Sequence, residues 1–101
     1  MALSKLQLSE LLSVYGGLLT DKQRDALAMY CNCDLSLGEI ADESGISRQG
    51  VRDAIVKAEA SLVKLENELH LAEFIRQAQS AVDTEDGAAL KEVVKRFVSK
   101  E

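Results

Sequence analysis

Apolar positions recur at helical intervals along most of the chain. Between residues 3 and 19, Leu8, Leu11, Leu12, Tyr15, Leu18 and Leu19 follow at spacings of 3, 1, 3, 3 and 1. That is one stripe of an amphipathic helix. Gly16-Gly17 costs such a helix about 1 kcal/mol per residue relative to alanine, so the helix ends there or another backbone packs closely on it. Thr20, with Gln23 three residues on, forms a capping box and opens a second helix over about 21–31 that buries Ala26, Leu27 and Tyr30. Residues 32–34 read as a connection. Ser36 and Glu39 form another capping box before a short helix of about seven residues, which Gly45 ends. Ser47 is the N-cap candidate for the next helix, which shows no stop until about Ala81. In it, Ile55, Ala58, Leu62, Leu65, Leu69 and Ala72 follow at 3, 4, 3, 4 and 3, a heptad pattern whose phase slips after Ala72. Beyond a loop at Thr84–Gly87, Leu90, Val93, Val94, Phe97 and Val98 define a last amphipathic helix.

The expected fold is therefore all-α. Residues 1–82 form the main domain, with an N-terminal helix and a long helix, and residues 83–101 add a loop and a short terminal helix.

The stretch LGEIADESGISRQGVRDAIV, Leu37 to Val56, has the spacing of a helix-turn-helix. Ala41, Gly45 and Val51 stand four and then six residues apart. A small residue suits the crossing of two helices, and a glycine takes the positive φ of the turn. Val51, with Ile40, Ile46 and Ala54, fills the wedge between them. At about 100° per residue, a second helix with Val51, Ile55, Ala58 and Leu62 inward turns Gln49, Arg52, Asp53 and Val56 outward. Recognition helices read bases with such N-terminal outward residues. Arg52 suits guanine, Gln49 adenine, and Val56 a thymine methyl. Ser47 and Arg48 stand where phosphate contacts are made, and Lys57 is placed to reach the backbone. Asp53 reads cytosine or pairs with Arg52 or Lys57. The alternative is a solvated helix face.

Composition changes this picture in one respect. The 101 residues carry 12 basic and 17 acidic side chains, a net charge of −5, which weighs against a nucleic-acid partner. The distribution weighs the other way, because residues 47–57 hold Arg48, Arg52 and Lys57 against Asp53 alone. Proline and tryptophan are absent and aromatics make up 4%, consistent with helices rather than strands. No apolar run spans a bilayer, and Lys5 and Glu10 interrupt the N-terminal pattern where a signal peptide would be uniformly apolar, so a cytoplasmic chain is expected. Cys31 and Cys33 make no disulfide framework, and with the one histidine, His70, they fall short of a four-ligand zinc set. Neither a phosphate loop nor a nucleophile–base pair is visible, so no enzyme activity, cofactor, metal or small-molecule ligand is expected.

The run from Tyr15-Gly16-Gly17-Leu18-Leu19-Thr20-Asp21-Lys22-Gln23, through Ser36-Leu37-Gly38-Glu39-Ile40-Ala41, to Ser47-Arg48-Gln49-Gly50-Val51, with Lys57-Ala58-Glu59 and the Leu65-to-Phe74 helix, resembles the YlxM-like family. These are small bacterial proteins held to bind DNA. The resemblance covers about residues 8–76, and the helix-turn-helix is similar to the promoter-reading region 4 of sigma factors. It implies a DNA-binding regulator, acting in or on the signal recognition particle pathway, beside whose genes such proteins are encoded. Gly50 stands where the family usually has alanine, and the tail from about Val82 matches nothing in the family. The heptad supplies either a homodimer seam at Leu62, Leu65 and Leu69 or an intrachain contact with residues 8–19 and 90–98. The expectation is a homodimer presenting two reading helices to DNA. The alternative is an interaction module docking on signal recognition particle or RNA polymerase components.

Overall fold

The computed structural model describes residues 2–99 as six α-helices and one 3₁₀ turn, with no strand among them. The helices are α1 (Lys5–Tyr15), α2 (Asp21–Cys31), α3 (Leu37–Ser44), α4 (Arg48–Leu69), α5 (Leu71–Asp83) and α6 (Gly87–Val98). They form two compact units, residues 1–65 and 66–101, so α4 carries the boundary. The break expected at residues 82 and 83 lies inside the second unit, at the end of α5. Met1, Lys100 and Glu101 of the expected spans lie outside the described residues.

Three starts in the first unit are written the same way. Ser4 with Gln7, Thr20 with Gln23, and Ser36 with Glu39 each form a reciprocal capping box, with both hydrogen bonds present. Each satisfies two N–H groups that a helix start leaves without partners. The Ser4 box places the first helix start at Lys5, inside the expected stripe. Of that stripe Leu8, Leu12, Tyr15 and Leu19 are buried, whereas Leu18 is 67% exposed. The helix ends at Tyr15, and the 3₁₀ turn Gly16–Leu18 rotates Leu18 off the stripe. The core of the unit is completed by Ala26 and Leu27 from α2, Ile40 and Ala41 from α3, and Val51, Ala54, Ile55, Ala58 and Leu62 from α4. Across the surface, Lys5 pairs with Asp34 and its ammonium lies 4.7 Å from the centre of the Tyr30 ring. This hydrogen-bonded pairing holds the Asp34 carboxyl below its usual range and raises the Lys5 ammonium.

The long helix does not reach Ala81. It stops at Leu69, and His70 takes a left-handed conformation with φ of 54°. The reason is a cap from within α4 itself. The Glu66 carboxylate accepts the N–H groups of Ala72 at 2.9 Å and Glu73 at 3.0 Å, the first turn of α5. The phase slip after Ala72 is the sequence trace of that break. In the second unit α5 and α6 pack on each other. The rings of Phe74 and Phe97 lie 4.5 Å apart, and Ala72, Ala81 and Val93 are buried. Asp86 caps α6 by accepting the Ala89 N–H at 3.0 Å. Of the terminal stripe, Val94 and Val98 remain exposed.

Gly45 sits at φ 71° and ψ 24°, and its N–H donates to Ala41 at 2.9 Å. No side chain blocks the position, so the requirement is conformational alone. A Gly45→Ala variant is expected to lose about 1 kcal/mol, and Gly45→Asn less than that, because asparagine tolerates this region. Urea denaturation of the two variants beside the wild type measures the difference. Equal stability of all three would contradict the expectation.

Candidate nucleic-acid interface

The interface is built on α3, the Gly45 turn and the first three turns of α4. Gly45 ends α3, and two residues later the Ser47 hydroxyl accepts the Gly50 N–H at 3.0 Å, starting α4. Ile40, Ala41, Val51 and Ala54 are buried, and Ile46 is half-buried. This wedge sets the two helices of the motif against each other.

With Val51, Ile55, Ala58 and Leu62 turned inward, Ser47, Arg48, Gln49, Arg52, Asp53, Val56 and Lys57 are all exposed. They share the N-terminal end of α4 and spread over about half of its circumference, with Arg48 and Lys57 about 180° apart. Asp53 is engaged differently from the expectation. Its carboxylate accepts from Gln49 Nε2 at 2.9 Å, one turn back, rather than pairing with Arg52 or Lys57. That bond ties down the amide suited to adenine and leaves no ion pair on Arg52 or Lys57. Arg48 lies back against α3, where a Cβ added to Gly38 would sit 3.0 Å from its Nη2 and 3.1 Å from its Cζ. Only a residue without a side chain leaves room for that placement. The contact is with the first turn of α3, whose N–H groups carry partial positive charge.

Gly50 stands at the third position of α4. A Cβ there would lie 3.3 Å from Ser47 Oγ and 3.5 Å from Ile46 Cδ1. A serine hydroxyl on a helix cap yields a few tenths of an ångström readily. Gly50→Ala is therefore expected to stabilise the protein by about 0.5–1 kcal/mol, the helix preference of alanine over glycine. A lowered midpoint in thermal unfolding would show the crowding to be the larger effect.

Sequence reasoning passed over two features. Glu59 follows Ile55 by four and precedes Leu62 by three, on the apolar stripe, and it is only 8% exposed. Its carboxylate accepts the N–H groups of Ala2 at 3.2 Å and Leu3 at 2.7 Å. The spacing alone was the legible signal: an acid on a core stripe needs donors. The second feature is Lys64, exposed and seven residues beyond Lys57 on the same side of α4. With Glu59 turned inward, the exposed charges of residues 48–64 are Arg48, Arg52, Lys57 and Lys64 against Asp53, or +4 − 1 = +3.

The remaining residues singled out in the sequence lie elsewhere. Leu62 is fully buried in its own chain, Leu65 is half-buried, and Leu69 is 49% exposed. Of the three seam residues, the first is therefore a core residue, because α4 turns the Val51–Leu62 row inward. Cys31 and Cys33 carry free thiols, and burial raises the Cys31 thiol above its usual range. His70 lies at the α4–α5 break, 3.4 Å from the Glu73 carboxylate. No group of three metal-ligating side chains converges among the described residues. Likewise, no helix among them is long and apolar enough to cross a membrane.

Residues 3–96 match the family model UPF0122, whose description is "Putative helix-turn-helix protein, YlxM / p13 like". The match extends beyond residue 76, where the resemblance read from the sequence stopped, through the rest of α5 and nearly all of α6. A UPF0122 protein of Lacticaseibacillus casei is 49% identical over 78 residues, covering 77% of this chain and 69% of that protein. One from Shouchella clausii is 48% identical over 75 residues, 74% of this chain and 69% of its own length. One from Clostridium kluyveri is 49% identical over 69 residues, 68% of this chain and 62% of its own.

Proposed function

Because the chain belongs to the UPF0122 family of YlxM/p13-like helix-turn-helix proteins, we propose that it is a cytoplasmic DNA-binding regulator. It reads duplex DNA with the N-terminal turns of α4. The observation that carries this reading is the exposed end of α4. There Ser47, Arg48, Gln49, Arg52, Val56 and Lys57 face outward from a buried helix-turn-helix wedge. In the proposed roles, Arg52 and Gln49 address base edges in the major groove and Val56 a thymine methyl. Ser47, Arg48 and Lys57 take phosphates, which fix the register. Asp53 orients Gln49 through their hydrogen bond. In the free protein Arg48 rests against Gly38, and on DNA it swings out to a phosphate. The protein acts as a homodimer, with Leu65 and Leu69 at the seam, so that two reading helices address a two-fold site. A role in or on the signal recognition particle pathway is part of the proposal and rests on the resemblance alone.

The test is fluorescence anisotropy of labelled duplexes drawn from the source genome. Binding that weakens as salt rises from about 50 to about 200 mM is expected, with a shallow dependence, because each subunit has few cations to neutralise phosphates. Absence of binding at micromolar protein, with the helices intact by circular dichroism, would overturn the reading.

One observation favours a second reading, an interaction module docking on components of the targeting or transcription machinery. The chain carries −5 overall, and Ile75, Val82, Val94 and Val98 stand exposed on α5 and α6. An acidic surface with apolar side chains on a helix pair suits a protein partner better than a phosphate backbone.

A further inference from the structure

Gly38 is a glycine without a conformational reason. It lies inside α3, its φ is not positive, and glycine forms helix less well than alanine. What its missing side chain leaves is space, and Arg48 takes it. An ideal Cβ on Gly38 would stand 3.0 Å from Nη2, 3.1 Å from Cζ and 3.1 Å from Nε of Arg48. A point so nearly equidistant from three atoms of a planar group lies over its plane, so the guanidinium lies flat over Gly38. The contact joins the two helices of the motif, from the first turn of α3 to the first residue of α4. Shape alone makes it. Among the described residues the Arg48 side chain has no hydrogen bond and no ion pair, so its five N–H donors have no protein partner. Gly50, by contrast, gives its space only to its own turn, Ser47 and Ile46.

We propose that Gly38 is a positioning residue for Arg48: its bare Cα is a seat that holds the guanidinium off the phosphates in the free protein, and DNA draws it out. This inference rests on the DNA-binding reading and adds a restraint to it. Leaving the seat forfeits van der Waals contacts, which offsets part of what Arg48 gains at a phosphate. No protein hydrogen bond is broken on leaving, so the restraint is small and reversible. Because Arg48 takes a phosphate rather than a base in that reading, the restraint acts on every sequence alike. It holds down the sequence-independent share of binding, to which an acidic chain with few cations at the α4 end brings few other groups.

The test is a double-mutant cycle on the full chain: wild type, G38A, R48A and G38A/R48A, titrated against unrelated labelled duplexes at about 50 mM salt. The added Cβ meets only the far end of a flexible side chain, so G38A keeps the fold, which circular dichroism verifies. G38A is expected to bind every duplex about two- to five-fold more tightly than the wild type, the weight of a few van der Waals contacts. In the R48A background the same substitution changes nothing. A second readout needs no DNA: nuclear relaxation of the Arg48 Nε is expected to show an ordered side chain in the wild type and a mobile one in G38A. Binding by G38A equal to or weaker than the wild type overturns the restraint and leaves the DNA-binding reading standing. The same gain in the R48A background overturns it too, because the effect then arises elsewhere on α3. An Arg48 side chain equally mobile in the wild type and G38A removes the seat itself. Absence of binding by the folded wild type, with Arg48 ordered, overturns the DNA-binding reading and the restraint with it.

Discussion

An Arg48→Ala, Arg52→Ala double variant is expected to bind duplex DNA about 100-fold more weakly than the wild type. A bidentate arginine on a guanine contributes about 1–3 kcal/mol of discrimination. A phosphate contact adds counterion release that shrinks with salt. Together they remove about 3 kcal/mol, and each 1.4 kcal/mol is tenfold in affinity. The two arginines should be separable. Arg52→Ala flattens the preference among duplex sequences, whereas Arg48→Ala weakens all duplexes evenly and lowers the salt slope. Neither change touches the core, since both side chains are exposed and Val51, Ala54 and Ile55 remain in place. Anisotropy titrations at two salt concentrations measure both effects. Undiminished binding by the folded double variant would remove the α4 end from the interface.

Leu62→Ala is expected to destabilise the protein by about 2–5 kcal/mol, while Leu69→Ala changes stability by about 1 kcal/mol or less. The first deletes a fully buried side chain and leaves a cavity that the surrounding helices only partly close. The second trims a side chain that is 49% exposed. For a domain of this size a loss of 2–5 kcal/mol lowers the melting temperature by roughly 10–30 °C. The comparison also tests the proposed seam. If Leu69 contributes to a dimer, Leu69→Ala shifts sedimentation toward the monomer and makes melting depend more on concentration, with little change within the protomer. Comparable melting temperatures for the two variants would contradict the burial that separates them.

The helix starts and the helix-turn-helix were legible because they depend on neighbours a few residues apart. A capping box needs only Thr20 and Gln23, or Ser36 and Glu39, at the right interval. Gly45 announces a left-handed turn by lacking a side chain. The outward set on α4 follows from where Val51 and Ile55 point, since a helix carries its faces at a constant angle per residue. The family followed from those same short motifs, and its match to residues 3–96 goes beyond what they covered.

Whatever depended on a side chain meeting a distant or reoriented group was settled only by tertiary structure. The end of α4 at Leu69 required the Glu66 carboxylate to bend forward onto Ala72 and Glu73, where pattern alone continues a helix to Ala81. Leu62 and Leu69 occupy equivalent heptad positions, yet one is core and the other surface, because periodicity defines a stripe without saying what covers it. The placement of Arg48 against Gly38 joins residues ten apart across a turn. Charge shows the same division. The sequence determines the sum, −5, whereas the fold turns Glu59 inward to meet the N–H groups of Ala2 and Leu3 and leaves a positive excess among the exposed charges of residues 48–64. A sum over residues carries no direction, and a binding surface is defined by direction.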